Sequence, residues 1–363
     1  MKTKSIDEFQ KVDENVIFLS SSNLPQRDPN VSFAEHFNVS SVGLIPEDSR
    51  YQIGEMDEFF AVFYRLVVPF LVGLISILGT VGNGLVIHVI ISRSRFKSAR
   101  NVLLLNLAFA DLCFLVLLPP FTVLRLVSPH WPFGEFGCKL SNYLINVVSY
   151  VTVYTLVIIA VVRYMTLVHS KRTVHLRTRR NASIAIATIW LVMFTVNAPI
   201  ITSYVVRDDV DGYLRCEHDT LQAGQRIFGV FFVFAYLLPL SIVLVLSVSM
   251  FRYISDRHRP GFYVAEKSST RVRLAGRLLL LVAVLFAVLW LPMHVNLLVV
   301  YFGKTPPGRA HEMLHLLGNW MAYFNSCINP VIYNHTSKDF RKDLRETLCC
   351  KRKRQLILGS QCV

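Results

Sequence analysis

Seven runs of about 20 or more predominantly apolar residues divide this 363-residue chain. A helix of that length crosses about 30 Å of hydrocarbon. The runs are roughly Leu66–Ile91, Val102–Leu124, Leu140–Val162, Ile184–Val206, Ile227–Phe251, Leu278–Phe302 and Met313–Asn334, and Asp111 is the sole Asp, Glu, Lys or Arg among them. One such run would fit the buried helix of a soluble protein; seven do not. A composition that is 53% hydrophobic and 17% charged points the same way. The expected fold class is an all-α membrane protein, a seven-transmembrane helix bundle with a short amphipathic eighth helix. Three regions follow: a polar N-terminal tail over 1–63, the bundle over 64–334, and a helix and tail over 335–363.

The net charge of +14 would fit a nucleic-acid binder, but its placement does not. Lys and Arg gather in alternate linkers: Arg93–Arg100, Lys171–Arg180, Arg252–Arg277, and the tail with "KRKR" at 351–354. Cytoplasmic loops carry that excess. The expected topology is multi-pass in the plasma membrane, N-terminus outside and C-terminus inside, with no nucleic-acid partner. No apolar stretch near Met1 reads as a cleaved signal peptide. Two glycosylation sequons, at Asn30 and Asn38, then fall outside. Cys138 and Cys216 are the two cysteines on the outer side, where disulfides persist, and are expected to be bridged. Cys349 and Cys350 follow a basic amphipathic stretch; juxtamembrane cysteines there read as palmitoylation sites on membrane lipid, or else as a reduced pair. The halves show no matching pair of broken helices, against a transporter. The linkers are too short for an enzyme domain, and no enzymatic activity is expected.

Arg163 sits in the run "LVIIAVVRYMTLV", with no acid within six positions. A charge at a bilayer centre is costly. Arg163 lies 25 residues after Cys138, roughly 37 Å at 1.5 Å per residue, so it reaches the inner boundary. There its long side chain meets water or a docking partner.

The segments "GNGLVI", "NLAFAD", "VRY", Trp190, Pro239, "WLP" and "NPVIY" occur in that order. Together with the paired outer cysteines they resemble a rhodopsin-like (class A) G-protein-coupled receptor. "VYTLV", "LRTRRNA", "LPMHV" and "NSCINPVIY" resemble the allatostatin-A and galanin group of neuropeptide receptors. The resemblance implies transmission of extracellular peptide binding to a cytoplasmic heterotrimeric G protein of the inhibitory class. It implies an outer pocket from Asn142, Ile145, Asn146, Met293, His294, Leu297, His315, Asn319 and Tyr323, below a loop carrying Glu217. Ile145 stands where amine receptors have an aspartate, and no lysine lies near Tyr323 to hold retinal. A short, C-terminally amidated peptide suits the amides and imidazoles that remain. The acids Asp208, Asp209, Asp211, Glu217 and Asp219 either steer a cationic peptide or simply solvate the loop. The resemblance implies no cofactor beyond an allosteric sodium ion, held by Asp111, Thr152, Asn325, Ser326 and Asn329. The alternative is a protonated Asp111 in a dry hydrogen-bond network. The implied switch set is Val162, Arg163, Tyr164, Ser247, Phe286, Trp290, Asn329, Pro330 and Tyr333, and Arg271, Arg273 and Arg277 would join the coupling surface.

Two positions depart from that pattern. Val162 replaces the acid that restrains the helix-three arginine at rest, and Ser247 replaces a tyrosine that meets the arginine in the active state. The first change implies raised basal signalling. The second implies poor coupling, as in a divergent decoy receptor.

Overall fold

The computed structural model describes residues 63–92, 98–128, 130–208, 212–256, 266–303, 309–336 and 340–347. Seven long helices are present: α1 (Val68–Ser92), α2 (Ala99–Val127), α3 (Gly134–Val168), α4 (Arg179–Val196), α5 (Leu221–Tyr253), α6 (Glu266–Phe302) and α7 (Arg309–Thr336). A short helix, α8, covers 340–347. Capping fixes several starts. The side chains of Ser98, Thr178 and Thr220 accept hydrogen bonds from Asn101, Asn181 and Ala223 backbone N–H groups, satisfying donors a helix leaves orphaned.

Six of the helices, α1 to α6, are long and apolar enough to cross a membrane. The seventh has the length, 28 residues, but carries His311, Glu312, His315, Asn319, Asn325 and Asn329. Its polarity follows from its place: it packs against α1, α2 and α6, and several of these groups serve the interior. α3 touches α2, α4, α5 and α6 and is the most enclosed span, whereas α4 turns most of its surface outward. Outward Leu191, Val196 and Ile184 are what a lipid solvent permits.

The fourth apolar run is not wholly helical. α4 stops at Asn197, a 3-10 turn covers Ala198–Thr202 with Pro199 near its start, and Tyr204–Asp208 is a strand, β1. It pairs antiparallel with β2 (Leu214–His218), Val206 opposite Cys216. The run Ile184–Val206 thus joins two elements, because hydrophobic length alone does not register the break at Asn197–Ala198–Pro199. The fifth span carries a π-helical turn over Phe232–Leu237, closed by Leu238 N–H on the Val233 carbonyl. Pro239 follows directly. Its missing N–H deprives the Ala235 carbonyl of a helix partner, and the wider turn absorbs the mismatch. In α8, Phe340 packs on the cluster of Val86, Ile90 and Leu103. The buried residue of that helix is Asp343, while Leu344 is half-buried.

Candidate functional site

The hairpin end of the bundle is built around Cys138 and Cys216, which are disulfide-bonded with Cα atoms 5.6 Å apart. Trp131 packs on the pair with Phe121, Tyr204 and Val206, and its backbone N–H donates to the Leu214 carbonyl at 2.8 Å. One turn along α3, Asn142 Nδ2 donates to the Cys138 carbonyl (2.9 Å) and lies 3.3 Å from Cys216 Sγ. Asn146 Nδ2 donates to the Asn142 carbonyl. Asn142 Nδ2 is thus engaged twice, while Asn146 keeps a second N–H and its amide oxygen to offer. Ile145 packs into the main core and Glu217 is exposed.

Across the bundle, α6 and α7 meet at Gly318. A Cβ there would lie 2.8 Å from the backbone N and Cα of Met293, so only glycine permits this approach. Nearby, Asn296 is 1% exposed and its Nδ2 stands 3.0 Å from His315 Nδ1. Asn319 Nδ2 donates to the His315 carbonyl, Leu297 is half-buried, and the Tyr323 hydroxyl pairs with Thr122 Oγ1 at 2.5 Å. Asn296 was not among the residues read from the sequence. The signal was present, as the one amide in "LPMHVNLL".

His218, at the end of β2, lies between Tyr204 (ring centroids 4.1 Å) and Tyr301 (5.5 Å). It joins the hairpin to α5 and α6, since Gly224 leaves room for the Tyr301 ring. Burial pushes its pKa below the ordinary histidine value, opposed by a hydrogen bond to the Ser203 backbone.

Deeper in, His294 is 1% exposed and faces five rings: Tyr236 at 4.4 Å, Phe231 and Phe232 at 5.5 Å, Phe228 and Trp290 at 6.1 Å. Neither ring nitrogen has a hydrogen-bond partner among the described residues. Each unmade buried bond costs about 1–3 kcal/mol. Four of the five rings belong to α5, so the imidazole is covered by the α5–α6 seam.

Asp111 is fully buried in a different setting. Asn329 Nδ2 donates to its Oδ2 at 2.7 Å, and Asn83 Nδ2 donates to the carbonyls of Gly79 and Ser326. Asp111 Oδ1, Thr152 Oγ1, Asn83 Oδ1 and Asn325 Nδ2 have no protein partner among the described residues. Three of these four are oxygens, the ligand type a hard cation takes. Asp111, Thr152, Asn325, Ser326 and Asn329 are thus all buried polar groups, and this donor set fits a small cation.

At the arginine end, Arg163 and Asn329 are the polar side chains lining a cavity of about 40 Å³ with Phe286, Val243, Val282, Ile332 and further apolar groups. That volume is room for a few waters. Val162 does not sit beside an empty position: it packs into the apolar cluster of Val86, Leu103, Leu107 and Ala182. Ser247, 3% exposed, turns its hydroxyl onto the Val243 carbonyl. Tyr164 packs with Met250 and Val243, its ring 5.6 Å from His169. Trp290 and Phe286 are in ring contact at 6.3 Å in the core, and Pro330 lies inside α7. The α3–α4 connection folds on Arg177, whose guanidinium reaches Thr166 Oγ1 (3.1 Å) and the carbonyls of Ser170 (2.6 Å) and Thr173 (3.3 Å).

Asn30, Asn38, Asp209, Asp211, Cys349 and Cys350 lie outside the described residues, as do the side chains of Arg271, Arg273, Arg277 and Tyr333.

Residues 82–333 match the family model for the 7 transmembrane receptor (rhodopsin family). Similar curated proteins include an allatostatin-A receptor of Bombyx mori, 35% identical over 78% of this chain and 80% of that protein. Human galanin receptor type 2 is 36% identical over 78% of this chain and 73% of its own. Human galanin receptor type 3 is 34% identical over 80% of each.

Proposed function

The chain belongs to the rhodopsin family of seven transmembrane receptors, and from that premise we propose that it is a receptor for a short neuropeptide of the allatostatin-A or galanin kind. It is a multi-pass membrane protein and a receptor rather than an enzyme. In this reading the hairpin end is extracellular and the arginine end cytoplasmic, a reading the Lys and Arg placement supports. The observation that carries the ligand class is the uncharged polar lining at the hairpin end. Asn142, Asn146, His315 and Asn319 present amides and an imidazole, with Ile145 where a small-amine ligand would need an acid. A C-terminal amide on the peptide supplies both a donor and an acceptor to such groups. Met293 and Leu297 supply apolar surface and Glu217 stands at the rim, whereas Tyr323, expected in the pocket, is fully buried against Thr122 and offers no surface.

The cytoplasmic partner is a heterotrimeric G protein, of the inhibitory class by kinship. Arg163, Tyr164 and the basic stretch around Arg271, Arg273 and Arg277 form its contact surface. Ligand binding acts by favouring the packing in which that surface is open, because only differential affinity shifts a population. Phe286, Trp290, Asn329, Pro330 and Tyr333 carry the change between the two ends. Asp111 with Thr152, Asn325, Ser326 and Asn329 holds a sodium ion, whose positive charge would balance the buried carboxylate. Asn30 and Asn38 are glycan acceptors, and Cys349 and Cys350 carry palmitate.

A panel of amidated allatostatin-A and galanin peptides applied to cells expressing the receptor, read through a promiscuous G protein, tests this reading. Saturable nucleotide exchange is the expected result; binding without exchange would leave a decoy receptor, which Ser247 favours. Ser247→Tyr restoring a weak response would locate the defect there.

A further inference from the structure

We propose that Arg177 is a positioning residue for the cytoplasmic partner: its guanidinium holds the α3–α4 connection, residues 169–178, in the shape that meets the G protein. The inference rests on the coupling reading above and deepens it by adding this connection to the contact surface.

No Asp or Glu occurs between Glu135 and Asp208, so no carboxylate of this part of the chain fixes the connection. Arg177, half-buried, is bonded to neutral oxygens instead. Each guanidinium nitrogen takes a different one: Nη1 donates to Thr166 Oγ1 (3.1 Å), Nη2 to the Ser170 carbonyl (2.6 Å) and Nε to the Thr173 carbonyl (3.3 Å). The Thr166 hydroxyl is free to accept because its own proton goes to the Val162 carbonyl, 2.6 Å away. A planar fork serves several acceptors at once, whereas a lysine ammonium is a point charge on a flexible stem. The cation also lies just beyond the C-terminal end of α3, the negative end of its dipole. Thr173 Oγ1 adds bonds to the Met165 and His169 carbonyls (3.1 and 2.8 Å). On the α4 side, Asn181 Nδ2 donates to the Leu176 carbonyl at 3.0 Å.

The clasp has two consequences at the surface. Thr166 lies three residues beyond Arg163, one turn along the same helix face. The bond from Arg177 thus joins the connection to the turn that carries Arg163 and Tyr164, and the two move as one body. The clasp also holds Val174 and Leu176 outward, 62% and 47% exposed, among exposed Lys171, Arg172, His175, Arg179 and Arg180. Water gives a connection no reason to turn aliphatic side chains outward. An apolar pair ringed by cations fits a protein partner with an apolar hollow and an acidic rim.

The test uses the full-length receptor in lipid nanodiscs and in detergent, with Arg177→Met, Arg177→Lys, Thr166→Val and the Arg177→Met/Thr166→Val double. Purified G protein is titrated with allatostatin-A or galanin as the probe. Arg177→Met is expected to raise the half-maximal G-protein concentration by roughly 5–30-fold while leaving the maximal exchange rate unchanged, because Arg163 and Tyr164 remain. Arg177→Lys should lose nearly as much, and the double variant no more than Arg177→Met alone. In the ligand-free receptor, hydrogen exchange at the Thr173, Leu176 and Arg177 amides should quicken about tenfold in Arg177→Met. Melting temperature, and peptide binding without G protein, should match the parent. Full retention by Arg177→Lys would show that charge alone acts and would overturn the clasp. So would a loss confined to anionic nanodiscs, which would give this surface to the membrane, or an equal loss of peptide binding. A parent receptor that answers neither peptide removes the ligand class above. Amide exchange and the affinity for nucleotide-depleted G protein, both measured without peptide, then still decide Arg177.

Discussion

Asp111 and His294 are both ionisable and both sealed inside the bundle, yet they are housed in opposite ways. Asp111 has an amide donating to it and hydroxyl and amide oxygens close by, some of them without partners. His294 has aromatic rings around it and no hydrogen-bond partner among the described residues. The first is a polar pocket that accepts a charge; the second is an apolar box that holds a polar group at a cost. A buried carboxylate is too expensive to leave unassisted, so its surroundings must be polar. A neutral imidazole is cheaper to bury than a carboxylate, so it can sit among rings.

That contrast can be broken most forcefully at Asp111. Asp111→Leu strands the Asn329 amide in an apolar site and should cost about 3 kcal/mol, read as a fall in melting temperature of purified receptor. His294→Phe, which takes unpaired ring nitrogens out of an apolar box, should instead raise the melting temperature; destabilisation at both sites would erase the distinction. Asp111→Asn preserves volume but not charge. It should remove any dependence of peptide affinity on sodium while sparing the fold, measured by replacing sodium chloride with choline chloride. Gly318→Ala forces a methyl onto the Met293 backbone and should cost about 1–3 kcal/mol, again by melting. Val162→Asp probes the arginine end. It should lower basal nucleotide exchange at equal surface expression, and unchanged output would dismiss Val162 as a source of basal activity. The smallest effect belongs to His218. Its folded-state pKa is depressed, so the unfolded chain binds a proton first. The contribution of His218 to stability is complete above about pH 6.5 and declines as the pH falls below that value. His218→Gln should flatten this part of a melting-versus-pH profile, and an unaltered profile would show that the ring does not titrate there.

Much of the bundle was legible because lipid imposes a crude rule: every spanning backbone group needs an internal partner, and long apolar runs betray it. Asp111 stood out for the same reason, as one acid in an oily background. The hairpin did not, since Tyr204–Val206 is as apolar as the helix before it and only Asn197–Ala198–Pro199 marks the break. The polarity of α7 was also underweighted, because run length does not say which faces are lined with amides. His294 was visible as a residue but not as an environment. Its rings come from Phe228 through Tyr236, some 60 residues earlier, and the π turn that aims them has no sequence marker beyond Pro239. Val162 illustrates the converse. The sequence shows a missing acid, whereas the fold shows an apolar side chain packed against α2 and α4.

The contact between Gly318 and the Met293 backbone has a mechanical consequence. With no side chain between the two helices to give way, a rigid tilt of α6 takes that point as its fulcrum. From Met293 the helix runs nine residues to Phe302 and 27 back to Glu266, lever arms of roughly 14 and 40 Å. A displacement of one ångström at the hairpin end then becomes about three at the other, in the opposite direction.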